Sequence, residues 1–180
     1  MQEALTSFSE KRVFVTGHSG FKGSWLVILL KELGAIVMGF SLPVQQKRSH
    51  FCLLNLQEKI THIEGDIRNT TALNDAMKSF QPEYVIHLAA QALVKESYKE
   101  PVTTFDTNIL GSVNLLDAVR NVTSVRSLVY ITSDKCYENI ETNKRYKESD
   151  PLGGHDPYSS SKACAEIVSH SYRKSFLNNL

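Results

Sequence analysis

The apolar positions fall into short runs separated by amphipathic or polar stretches. Val13-Phe14-Val15-Thr16 is rich in β-branched residues and alternates poorly, the pattern of a strand buried on both faces. It ends at a turn holding Gly17, Gly20 and Gly23, after which Trp25 to Leu30 begins a helix that Gly34 stops. Ala35 to Phe40 reads as a second buried strand, and Ser41 to Ser49 as a polar loop. A short helix is expected around Phe51 to Glu58, then a third strand over Ile60 to Glu64 ending at Gly65-Asp66-Ile67-Arg68. Thr70 or Thr71 is the expected cap of a helix running to Phe80, with Leu73, Met77 and Phe80 on one face and Pro82 breaking it. Tyr84 to Leu88 predicts a fourth strand, followed by the small-residue turn Ala89-Ala90. Val102 to Val122 is helical in pattern, with Phe105, Ile109, Leu116 and Val119 near one stripe. Arg126 to Thr132 predicts a fifth strand, and Glu138 to His155 a polar loop. Asp156-Pro157 then places a cap and a first-turn proline at the start of a last helix.

Strands alternating with helices predict an α/β fold, a Rossmann-type doubly wound parallel sheet covered on both faces. Ligands bind such sheets beyond the C-terminal strand ends, near the switch point of strand order. That rule puts Gly17–Gly23, Ser41, Asp66, Leu88–Gln91 and Ser133–Lys135 along one rim.

The 180 residues suffice for one domain with a full core. The expected division is an N-terminal tail over 1–10 and one doubly wound domain over 11–180. A net charge of +1 gives no sign of nucleic acid or an acidic membrane as partner. Cys52, Cys136 and Cys164 have neither a framework nor a metal-type spacing, so reduced thiols and no metal are expected. Residues 1–10 lack a charged start followed by an apolar core, and the longest apolar run, Trp25 to Leu30, is too short for a bilayer. A cytoplasmic location follows as the expectation.

Three constellations on the rim carry chemistry. Strand, glycine turn and helix in that order make a phosphate cradle: glycines let the backbone approach an anion and the helix N-terminus aims free N–H groups at it. The spacing is G-x-x-G-x-x-G over Gly17, Gly20 and Gly23, with Ser19, Phe21 and Lys22 between them. An adenosine ribose on that turn should meet Ser41, where NAD binders often carry an acid. Serine bonds a hydroxyl without repelling a 2′-phosphate, and Lys47 and Arg48 follow, so NAD and NADP both stay open. Asp66 is placed to meet the adenine or simply to cap its turn.

The second constellation is Tyr158-Ser159-Ser160-Ser161-Lys162, which puts a phenol and an ammonium on one helical face. The ammonium favours the phenolate, and such a tyrosine can take a proton from a sugar hydroxyl. The third is Thr132-Ser133-Asp134-Lys135 at the end of the fifth strand. Its serine can steady a substrate oxygen, while Asp134 and Lys135 add an acid and a base that simple hydride transfer does not need.

In this order the three resemble the extended short-chain dehydrogenase/reductase superfamily. Gly17 to Trp25, His87 to Gln91, Ile131 to Tyr137 and Gly153 to Ser159 resemble its nucleotide-sugar 4,6-dehydratases, and within them the CDP-glucose branch. Thr107-Asn108-x-x-Gly111 matches the superfamily helix that carries an active-site asparagine. The resemblance implies bound NAD, held by Gly17, Ser19, Gly20, Phe21, Lys22, Gly23, Ser41, Asp66, Ile67, Leu88, Ala89, Ala90, Asn108, Tyr158 and Lys162. It implies a nucleotide-sugar substrate and a 4,6-dehydration. Tyr158, with Ser133 and Lys162, would deprotonate the 4-hydroxyl, and Asp134 would protonate the departing 6-hydroxyl. Lys135 would be either the C5 base or a stabiliser of enolate charge. Family members are roughly twice as long, so the chain is expected to stop before a substrate-binding lobe. A homodimer through the 102–122 and 158–176 helices is implied as well. A sugar epimerase or reductase, and a dinucleotide-binding module without turnover, remain alternatives.

Overall fold

The structure is a computed structural model that describes residues 8–141, 143, 145–178 and 180. Of the expected tail, residues 1–7 lie outside the described residues, while the Phe8 ring lies 5.2 Å from that of Tyr84, tilted by 58°, at the base of the sheet. Five parallel strands form one sheet: β1 (Arg12–Thr16), β2 (Ile36–Ser41), β3 (Thr61–Glu64), β4 (Tyr84–His87) and β5 (Ser127–Tyr130), in the order β3-β2-β1-β4-β5. The order reverses beside β1, so the crevice between β1 and β4 is the switch point. Val13, Phe14 and Val15 are fully buried, as the unbroken apolar run of a central strand requires.

Successive side chains of β1 feed opposite layers. Phe14 packs with Phe40, Val85, Leu73, Met77, Leu115 and Val119 on one face. Val13 and Val15 pack with Val27, Leu30, Phe51 and Leu56 on the other. Helix α1 (Phe21–Glu32) and the single turn α2 (His50–Leu53) cover this second face. Helix α3 (Thr70–Phe80) and two later helices cover the first. The short helix expected around 51–58 is α2 followed by a 3₁₀ turn at Leu56–Glu58.

Two boundaries differ from expectation. The cap of α3 is Asn69, whose side chain accepts from the Ala72 N–H, rather than Thr70 or Thr71. Asparagine reaches the first-turn donors from extended backbone as well as threonine does. A short helix α4 (Val94–Lys99) precedes the one expected over 102–122, which is itself a relay: α5 (Pro101–Phe105), a π turn over Asp106–Leu110, and α6 (Gly111–Arg120). Pro101 starts α5, where its missing N–H costs nothing. The last helix, α7 (Pro157–Ser175), begins as the sequence indicates, with Asp156 accepting from the Ser159 N–H. No helix among the described residues is long and apolar enough to cross a membrane. Cys52, Cys136 and Cys164 are free thiols.

Candidate active site

All five strands end at one cavity of about 700 Å³. Gly17 follows β1, Ser41 closes β2, Gly65 to Arg68 follow β3, Leu88 to Ala92 follow β4, and Ile131 and Thr132 follow β5. Ser19 to Gly23 at the start of α1 and Tyr158 and Lys162 from α7 complete its wall.

Gly17 has φ +70°, and a Cβ there would sit 2.8 Å from the Ala89 nitrogen, so the turn takes a backbone that only glycine holds without strain. A Cβ on Gly23 would lie 2.2 Å from the Gly17 carbonyl oxygen. Helix α1 therefore packs directly on the turn. Gly20 caps α1 without a side-chain bond, which leaves the first-turn N–H groups of Phe21, Lys22 and Gly23 to face the cavity. Free N–H groups at the positive end of a twelve-residue helix, behind a turn that lacks Cβ atoms at Gly17 and Gly20, fit a dinucleotide diphosphate.

The far end of the cavity is already wired. Ser41 shares a hydrogen bond with Ser19 at 2.7 Å, tying β2 to the glycine turn. Asp66 is gripped by Arg68, with Nη2 to Oδ2 at 2.6 Å, and this bond holds its carboxyl below the usual aspartate range. Arg68 reaches across to Asp106 at 3.4 Å and itself lines the cavity. Lys47 and Arg48 are not part of the wall.

Behind the wall, His87 is buried between Thr16 and Ser112. The Ser112 hydroxyl donates to the Asn108 carbonyl at 2.7 Å and accepts from the Tyr130 hydroxyl at 2.6 Å. Only the Nε2–H tautomer of His87 satisfies this set, with the Thr16 hydroxyl donating to Nδ1 at 2.6 Å. Burial, and next the Lys162 charge, push the His87 pKa down to about 3. Asn108 does not line the cavity. It is buried in the π turn, where its side chain bonds both the N–H and the carbonyl of Gln91 and donates to the Ser161 hydroxyl at 2.8 Å. It thus clamps the strand-end turn after β4 to α7.

Lys162 is 7 % exposed, and desolvation draws its pKa below the ordinary lysine range. The Glu166 charge opposes that shift and the Lys22 charge adds to it. Tyr158 is half-buried on the same wall. Ser133 caps the 3₁₀ turn Asp134–Cys136, accepting from the Lys135 N–H at 3.2 Å and donating to Asp134 Oδ1 at 3.1 Å. Ser133 lines neither space, whereas Asp134 and Lys135 line a second pocket of about 210 Å³. Tyr137 and Tyr146, stacked at 5.1 Å, form part of that pocket, with His155 and Asp156. The two spaces adjoin along the backbone, through Thr132 to Asp134 and through Tyr158 to Ser159. The glycine turn and the Tyr158–Lys162 pair thus share one cavity, and the Asp134–Lys135 pair faces the next. Thr132 belongs to the strand-end constellation read from the sequence, whereas the roles of His87 and Glu166 have no local signal, because their partners lie on distant segments.

A glycine turn and a Tyr-x-x-x-Lys helix across one strand-end cavity define the short-chain dehydrogenase/reductase class. The chain belongs to the family described as GDP-mannose 4,6 dehydratase, whose model matches residues 14–178. It is 49 % identical over 168 residues to the CDP-glucose 4,6-dehydratase of Salmonella typhimurium, covering 93 % of this chain and 47 % of that protein. Among solved structures, the UDP-glucose 4-epimerase of Thermus thermophilus in complex with NAD superposes with a TM-score of 0.80 at 34 % identity, over 92 % of this chain and 51 % of that one. DesIV of Streptomyces venezuelae, a dTDP-glucose 4,6-dehydratase with NAD and TYD bound, gives 0.80 at 25 % identity, over 92 % and 52 %. The chain spans about half the length of the relatives it matches.

Proposed function

We propose that this chain binds NAD in the 700 Å³ cavity and belongs to an enzyme that converts CDP-glucose to its 4-keto-6-deoxy product. The observation that carries this is the shared wall: Tyr158 and Lys162 face the glycine turn across one space, with Asp134 and Lys135 in the adjoining pocket. An acid beside the Tyr158 site suits loss of a hydroxyl, which an epimerase does not require. The 49 % identity to a CDP-glucose 4,6-dehydratase points the same way.

When bound, NAD supplies a reversible two-electron oxidant for the sugar. The N–H groups of Phe21, Lys22 and Gly23 and the Lys22 ammonium would hold its diphosphate. The Ser41–Ser19 pair and Asp66–Arg68 would close the adenosine end. Lys162 would bond the nicotinamide ribose, and its charge would stabilise negative charge on the Tyr158 oxygen. Tyr158, acting as its phenolate, takes the proton of the sugar 4-hydroxyl. Ser133, at the strand end beside them, would bond the same oxygen. Asp134 gives a proton to the departing 6-hydroxyl, which leaves as water, and Lys135 beside it handles the C5 proton. The chain also pairs with a second copy through α5, α6 and α7.

The test incubates the protein with NAD and CDP-glucose, with dTDP-glucose in parallel, and follows product mass. Loss of one water from CDP-glucose is expected. A product of unchanged mass would make the enzyme an epimerase, and failure of NAD to bind in calorimetric titration would overturn the proposal.

A further inference from the structure

Glu166 takes no part in the scheme above, yet it touches both of its halves. The Thr132 hydroxyl donates to a Glu166 carboxylate oxygen. Thr132 lines the cavity and directly precedes Ser133, so this bond ties the end of β5 to α7. Tyr158, Lys162 and Glu166 recur every four residues on α7 and share one face. Glu166 is half-buried and forms no ion pair within 4.0 Å among the described residues. Burial is the main cause that raises the Tyr130, Cys136 and Tyr137 pKa values, and the Glu166 charge adds to each, an interaction that disfavours two anions together. Lys162 is the cation that gains from it. A glutamine would serve the Thr132 bond equally well, so the hydrogen bond alone does not account for a carboxylate in this place.

We propose that Glu166 is a positioning residue that acts through Lys162 and Thr132, fixing the β5 end that carries Ser133 and Asp134 against the helix that carries Tyr158 and Lys162, and supplying the counter-charge of the Lys162 ammonium. The proposal rests on the NAD reading of the cavity. The groups facing Lys162 are Tyr158 and Glu166 on its own helix, Lys22 from α1 and His87 from β4. Those facing Glu166 are Tyr130 of β5 and Cys136 and Tyr137 beyond it.

The experiment measures NAD affinity by calorimetry from about pH 6 to about pH 10, spanning lysine titration in a desolvated site. Wild type is expected to lose affinity as Lys162 deprotonates. Glu166→Gln is expected to lose it about one pH unit earlier, about tenfold weaker binding between the two midpoints. Glu166→Asp is expected to restore most of the shift. Lys162→Met is expected to abolish the alkaline limb, and adding Glu166→Gln to it should move nothing further. A limb that survives in Lys162→Met belongs to Lys22 and overturns the proposal. So does a folded Glu166→Gln with the wild-type midpoint. Should Glu166→Gln not fold, Glu166→Met, similar in length and without polar demand, is read with the same two outcomes. Wild type that binds no NAD at any pH sinks the cavity assignment itself. That failure is distinct from one in which wild type binds and the Glu166 variants trace its curve.

Discussion

His87 shows how much one side chain joins at the residue scale. It ends β4, takes a proton bond from Thr16 of β1, and gives one to Ser112 of α6. Buried neutral, it binds its proton far less readily than in the unfolded chain, with a pKa of about 3 against an ordinary 6.5. His18, under the glycine turn, is displaced the same way to about 4, first by burial and then by His62. A depressed pKa contributes stability that is complete above 6.5 and is lost as pH falls toward the folded value. Unfolding by urea is therefore expected at lower denaturant as pH drops from about 6.5 to about 4, each histidine adding a slope of up to about 1.4 kcal/mol per pH unit. His87→Gln should flatten that slope, and an unchanged slope would remove His87 as its source. At Tyr158 the prediction is chemical. Tyr158→Phe should keep NAD affinity within about threefold while product formation falls by about two to four orders of magnitude. Equal loss of both would make Tyr158 a binding residue only. Such residues were not equally legible in the sequence. Tyr158 and Lys162 declare themselves by a spacing of four. His87 reaches Thr16 and Glu166 reaches Thr132 across 71 and 34 residues, and no local pattern marks such pairs.

At the scale of elements, α7 has the best-defined start. Asp156 accepts from the Ser159 N–H at 2.9 Å and from its hydroxyl at 2.6 Å. Asp156→Ala should cost about 0.5–2 kcal/mol in chemical denaturation, and a smaller loss would mean that Pro157 alone sets the helix start. The cap was legible because Asp-Pro ahead of a helical run is a local signal, as were the strands, whose apolar runs need only burial. The break in the 101–120 helix was not. Its cause is Asn108, drawn inward to bond Gln91 and Ser161, and a helix interrupted that way keeps its apolar repeat on either side. Helix α4 leaves no periodic signal, because six residues are too few to show a period.

For the whole molecule, the sheet and one line of strand ends were implicit in the alternation of elements, whereas the walls of the cavity come from turns whose residues have little pattern. Val102, Leu110 and Ile167 leave apolar surface on α5 to α7, more than half exposed in each case. In the proposed pairing of two copies, Ile167→Glu is expected to give a monomer in sedimentation velocity, with a melting temperature that no longer rises with protein concentration. A wild-type monomer would instead leave this surface to another partner. A last consequence belongs to the family's history. The His18 ring fills the space above Gly39, where an added Cβ would lie 2.3 Å from its carbons. The two positions are therefore expected to vary together: in homologous chains, a side chain at the counterpart of Gly39 should appear only where the counterpart of His18 has become small, and an alignment in which both are bulky would overturn that coupling.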